Sequence, residues 1–264
     1  MASGSKKKDK SSVSSARAAN AVNRRQVPWG TIVAIVAIVA LAGVVFGYYL
    51  VESAPQREQD AREEAASEFQ PTQSNPDPSK QIPGVVIENV DARGHISGSQ
   101  RVDYTTEPPM GGAHDSIWAD CNGTVYSEPV RTENMVHTLE HGAVWITYNP
   151  AKLDSHAIDL LKARVEGKPY TVMSPYPGLD KPISLQSWGH QLKLTSADDQ
   201  RIDDFIAALR TNPNTTPEVG ASCSVPPGMF DVDNPPPFVP SEPGKNGVPM
   251  DFNGQSGAGG TAGN

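Results

Sequence analysis

The chain has 264 residues, with 22 Lys or Arg against 30 Asp or Glu and a formal net charge of −8. Seven basic residues face only Asp9 in the first 30 positions, a local +6, so everything after carries −14 and offers no basic face for nucleic acid. The 24 Pro and 23 Gly gather toward the C-terminus, which leaves one ordinary domain of folded sequence.

In chain order, residues 1–30 read as a basic, disordered tail rich in Lys, Arg, Ser and Ala. Residues 31–51 (Thr31 to Val51) run without a charge, and about 20 such residues in a helix span the hydrocarbon core of a bilayer. Trp29 precedes the run and Tyr48-Tyr49 close it, where interfacial aromatics belong. The basic segment before it and acidic one after it set the N-terminus in the cytoplasm. A cleaved signal peptide is the rival, but the apolar region is too long and no Ala-x-Ala site follows. The expectation is an uncleaved signal anchor: one pass through the cell membrane, with the main domain extracytoplasmic.

Residues 52–82 combine an acidic, helix-forming stalk with a Pro-rich linker. The folded domain is expected over 83–223, opening with a strand at Val85-Val86-Ile87. Residues 94–128 are loop-like, and an irregular stretch of that length in a compact domain is usually pinned by a site. A short helix capped by Thr132 covers Glu133–His141 and stops at Gly142, and Ala143–Tyr148 follows as a buried strand. Asp154 caps a helix over Ser155–Glu166, Tyr170–Met173 is a strand, and Ile183–Trp188 and Gln191–Leu194 are two more. Ser196 caps a last helix over Asp198–Arg210, whose Ile202, Phe205, Ile206 and Leu209 recur at helical period. This order predicts an α+β fold, a single small mixed-sheet sandwich with helices packed on the sheet. Residues 224–264 read as a disordered Pro/Gly-rich tail.

The densest group of potential ligands is Met135 to Gly142. His137 and His141 are four apart and Glu140 is three from His137, so a helix sets them on one face. His114 can bring a third imidazole from the preceding loop, and three protein ligands with an open position is a common zinc layout. Met110 and Met135 lie near these histidines in sequence, and a thioether would favour copper. Trp145 and Trp188 read as core aromatics, His156 as exposed, His190 as a turn histidine, and His95 carries no signal. The only two cysteines, Cys121 and Cys223, invite a disulfide outside the cytoplasm.

These motifs occur in one order: Pro108-Pro109 and Gly111-Gly112-Ala113-His114, Trp118, Gly123, Tyr126, Val136 through Gly142, and Ser187-Trp188-Gly189. The order resembles the bacterial DUF3105 family (domain of unknown function), uncharacterised membrane-anchored extracytoplasmic domains, over residues from about 82 to about 220. His-x-Leu-Glu-His-Gly is its most specific block. The family usually has Ser-Gly-Pro-His where this chain has Gly-Gly-Ala-His. The resemblance implies a shared fold and an extracytoplasmic location, and it brings no activity.

Three functional readings follow. The preferred one is a transition-metal site, copper or zinc, on His114, His137 and His141, with Glu140, Met110 and Met135 as accessories. The alternative is a non-catalytic scaffold or interaction module that meets other envelope proteins. A metal-dependent hydrolase ranks last: His-x-x-Glu-His has the inverse-zincin form, but Gly142 ends the helix too soon. No activated nucleophile or phosphate-cradling loop is evident, so an enzyme is disfavoured.

Overall fold

The computed structural model describes Met1 and residues 27–254; nearly all of the expected basic tail and the last ten residues of the expected C-terminal tail lie outside the described residues. Two compact units result, Met1–Ser53 and Ala54–Asn264. The first holds α1 (Trp29–Glu52), 24 residues with none buried. It is long and apolar enough to cross a membrane, as a membrane anchor or a signal sequence would be.

The second unit is the α+β domain. Its elements are α2 (Ala54–Ala66), β1 (Val85–Ile87), β2 (His95–Ile96), β3 (Val102–Asp103), β4 (His114–Asp115), β5 (Asn122–Val125), α3 (Thr132–Glu140), β6 (Val144–Tyr148), α4 (Ser155–Lys162), β7 (Thr171–Pro175), β8 (Ile183–Ser187), β9 (His190–Leu194), α5 (Arg201–Leu209) and β10 (Val248–Pro249). Six strands form one mixed sheet in the order β1-β9-β8-β6-β7-β5. β6, β7 and β5 run parallel, and the remaining pairs are antiparallel. The β6–α4–β7 connection is the helical crossover that a parallel pair requires.

Period-2 alternation splits the sheet's side chains between two cores. On one face Val144, Ile146, Met173, Ile183 and Leu185 pack with Ile202, Phe205 and Leu209 of α5 and Leu161 of α4. On the other face Trp145 and Val172 pack with Met135, Val136 and Leu139 of α3. Each fully buried Leu or Phe of this kind stabilises the fold by about 1.5–3 kcal/mol. Helices therefore cover both faces of the sheet, and α3 is held by an apolar side that leaves its other side free for chemistry.

Local boundaries depart from expectation for identifiable reasons. Asp154 caps α4 as read, its Oδ1 accepting from the Ala157 N–H at 2.8 Å. Thr132 does not cap α3: it is the first helical residue, and Arg131 takes the cap position without a side-chain bond. The Arg131 guanidinium is engaged instead by Asp115, Asn134 and the Gln100 carbonyl. Ser196 stands several residues before α5, which begins at Arg201.

The segments on either side of the expected domain pack against it. Read as a solvated stalk, α2 lies on α5, where Gln59 donates to Asp203, Arg62 donates to the Asp198 carbonyl at 2.8 Å and Gln200 donates to the Arg62 carbonyl at 3.0 Å. Those contacts are polar, so no apolar period announces them. The linker also docks, burying Asp77, Ser79 and Ile82. Residues 224–254, read as part of a disordered tail, run along the domain. Phe230 and Phe238 pack on the α3-side core, Val248 and Met250 pack on Ile96, Val102 and Ala113, and β10 pairs β3. Proline lacks an N–H but keeps its carbonyl. Here the Pro236 carbonyl accepts from the Arg131 N–H at 2.8 Å.

Candidate functional site

Four side chains meet at one end of α3: His95, His114, His137 and Glu140, with one ligand atom of each within 4.8 Å of all the others. Three pieces of local structure deliver them. β2 and β4 pair in parallel with His95 opposite His114, which sets two imidazoles side by side. α3 supplies His137 and Glu140 three residues apart, on one face. Two backbone bonds from the C-terminal segment brace the strand pair: the Gly94 N–H donates to the Phe252 carbonyl at 3.1 Å, and the Ala113 N–H donates to the Met250 carbonyl at 2.9 Å.

Hydrogen bonds fix the direction of each ring. His114 Nδ1 donates to the Gly112 carbonyl at 2.7 Å, His137 Nδ1 to the Asp115 carbonyl at 2.6 Å and His141 Nδ1 to the Ser222 carbonyl at 2.8 Å. A carbonyl only accepts, so the proton of each neutral ring sits on Nδ1 and leaves Nε2 as a bare lone pair. Gly112 must reach over His114 to do this, with φ +108 and no room for a Cβ beside Met250. The His114 Nε2 lone pair stands 2.9 Å from Glu140 Oε2, and His95 Nε2 stands 3.9 Å from the same oxygen. None of these contacts has hydrogen-bond geometry, and all three atoms are buried without a partner. Lone pairs aimed at a carboxylate in low dielectric are a cost unless a cation or a proton lies between them.

Burial, reinforced by His114 and His141, pushes His137 down to about 2. Burial first, then His114, also lowers His95, and burial lowers His141. An unfolded histidine titrates near 6.5. Because the folded value lies lower, the unfolded chain takes up protons first as pH falls, and stability is lost below about 6.5 until His137 itself titrates. For His137 alone the loss at pH 5 is on the order of 2 kcal/mol. The urea midpoint of chelator-treated, full-length protein should therefore fall steadily from pH 7 to pH 5, and less steeply in His137→Asn, whose amide keeps the bond to Asp115. Equal slopes in the two proteins would refute a buried neutral His137.

A second group adjoins the first. His137, His141 and Glu218 also have one ligand atom each within 4.8 Å of one another, with His141 Nε2 3.6 Å from Glu218 Oε2. Glu218 is exposed, and it lines an open cleft together with Asp91, Arg93, His95 and Glu140. The cleft gives solvent a path to the buried carboxylate. Trp118 lays its ring against both His137 and His141, at centroid distances of 5.4 and 4.8 Å. Its Nε1–H is buried without an acceptor.

Of the residues singled out in the sequence, His114, His137 and Glu140 come together, and His141 stands one step aside. Met135 lies in the apolar core with Trp145 and Val172. Met110 is buried, and its carbonyl accepts from the Gly189 N–H at 2.7 Å. Trp145 and Trp188 are buried, each with its indole N–H satisfied. His190 lies apart, between the Trp188 carbonyl and Asp77. His95 and Glu218 are site residues that local sequence reasoning misses. Cys121 and Cys223 stand at disulfide distance, with Sγ atoms 2.03 Å and Cα atoms 4.8 Å apart.

Fold and site together define an α+β domain built around a buried histidine–carboxylate cluster with a cleft leading to it. Residues 95–225 match the model of the family described as protein of unknown function, DUF3105. The match begins at His95 and runs past Glu218, so it spans every residue of both groups as well as the motifs that carry the resemblance, and the resemblance to that family is shown. No curated protein and no solved structure matches the chain.

Proposed function

We propose that this is a membrane-anchored, extracytoplasmic protein that binds a divalent transition metal, zinc or copper, through His95, His114, His137 and Glu140. The observation that carries the reading is the set of unpartnered polar atoms, His95 Nε2, His114 Nε2 and Glu140 Oε2, buried close together. A proton on His114 would relieve only its own contact with Glu140 and leave His95 Nε2 orphaned; one cation satisfies all of them. Carbonyl-held Nδ1 atoms are the usual outer support of metal-ligating histidines. Nitrogen and oxygen ligands bound at 2.0–2.1 Å in a tetrahedron stand roughly 3.3 Å apart, close to the spacings here.

With Met135 in the apolar core, only Met110 is left to support the thioether argument for Cu(I), and three imidazoles with a carboxylate suit Zn(II) or Cu(II). Glu140 sits among the ligands rather than beside them, which weakens the hydrolase reading in which it is a free base. The basic segment before α1 supports a cytoplasmic N-terminus, and the cysteine pair supports an oxidising compartment for the domain.

The test is elemental analysis of full-length protein purified in lipid nanodiscs from an oxidising host. The expected content is one zinc or copper per chain, lost in His114→Asn and in Glu140→Gln. Equal trace metal in wild type and variants would sink the reading and leave the envelope scaffold in its place.

A further inference from the structure

We infer that the second group, His137, His141 and Glu218, is a transfer station through which the ion reaches the buried site. The inference rests on the metal reading above and goes further, since it assigns a route. His137 belongs to both groups. Its Nδ1 is committed to the Asp115 carbonyl at 2.6 Å, so it has one free lone pair and ligates one ion at a time. The two groups are therefore alternative positions of a single ion, not the halves of a two-metal centre.

The positions differ as a point of access and a resting place should. The outer one has three ligands, one of them the exposed Glu218, whereas the inner one has four, with His114 and Glu140 buried. Fewer ligands and freer water favour exchange, and more ligands favour retention. Glu218 lines the same cleft as His95 and Glu140, which puts the outer carboxylate at the mouth of the inner site. Each position holds one carboxylate. An ion that keeps His137 while trading His141 and Glu218 for His95, His114 and Glu140 never leaves the field of a negative charge. Trp118 gives independent support. Its ring lies against His137 and His141 and its Nε1–H is buried without a partner, so a metal-bound water or anion could supply the acceptor it lacks.

Co(II) tests the route, because its visible absorption reports coordination. With full-length protein in nanodiscs, wild type should bind one ion and load in two phases, an early spectrum maturing into a four-ligand one. His141→Asn with Glu218→Gln should reach the same final spectrum but load, and release to chelator, about tenfold more slowly. The asparagine keeps the bond to the Ser222 carbonyl, so the fold is spared. His114→Asn should stop at the early spectrum and lose that ion on desalting, as it loses metal on purification, and the exposed His156→Ala should behave as wild type. Two ions per chain, wild-type rates in the double variant, or no ion in the double variant would each overturn the station. Absence of an ion from wild type would instead overturn the metal reading beneath it.

Discussion

Chelation should lower the melting temperature of the full-length protein by about 5–10 °C, and Glu140→Gln should melt above wild type when both are stripped but below it when zinc is present. A ligand that binds only the folded state at a hundred times its Kd contributes about 2.7 kcal/mol, and for a domain of this size each kcal/mol moves the midpoint by about 2–4 °C. The reversal follows from the atoms. In the stripped protein Glu140 Oε2 faces the His114 Nε2 lone pair at 2.9 Å and stands 3.9 Å from His95 Nε2, with no hydrogen bond to either. A glutamine amide places an N–H there, which donates to His114 Nε2 and removes a buried negative charge. Satisfying such a buried group is worth about 1–3 kcal/mol. Stripped Glu140→Gln should therefore melt above stripped wild type, and below wild type once zinc is added. Differential scanning calorimetry with EDTA and with zinc gives all four values. A variant that melts below wild type in both conditions would mean Glu140 is an ordinary structural residue.

That crossing is the signature of a site kept at a cost to the fold, and it also explains what the sequence conceals. α3 is legible because its two jobs have helical period: Met135, Val136 and Leu139 face the core while His137 and Glu140 face the site. His114 is legible because it closes a Gly-Gly-Ala-His run that needs special backbone angles. His95 is not, because a two-residue strand has no period and its place is set by pairing with His114. Glu218 is hidden because it lies in an irregular segment whose place is set by a long-range contact, its N–H donating to the Glu140 carbonyl at 3.0 Å. The sheet and its long helices follow from patterns of two and 3.6. The docking of α2 and of residues 224–254 does not, since polar side chains hold α2 and the apolar anchors Phe230, Phe238, Val248 and Met250 recur with no helical or strand period.

The histidine that stands aside depends on the most distant covalent contact in the domain. Cys121→Ala with Cys223→Ala should lower stability by about 3–5 kcal/mol, a melting point roughly 10 °C lower for a domain of this size. The cysteines are 102 residues apart, and closing a loop of that order is worth about 4.7 kcal/mol through the unfolded state alone. The pair also has a local task. It ties residue 223 to the strand edge, where the Cys121 N–H donates to the Cys223 carbonyl at 3.1 Å. The neighbouring Ser222 carbonyl is the group that orients His141. Freeing residues 222 and 223 should thus loosen His141 and Glu218 but leave His95, His114 and Glu140 in place, since β2, β4 and α3 hold those. The expected result is a protein that melts early, still retains one ion at equilibrium, and loads it slowly, like His141→Asn with Glu218→Gln. Melting curves and Co(II) loading on the same preparation decide it. Unchanged stability would show that the pair is not bonded, and loss of the ion itself would place the resting site on His141 rather than on the four residues assigned to it.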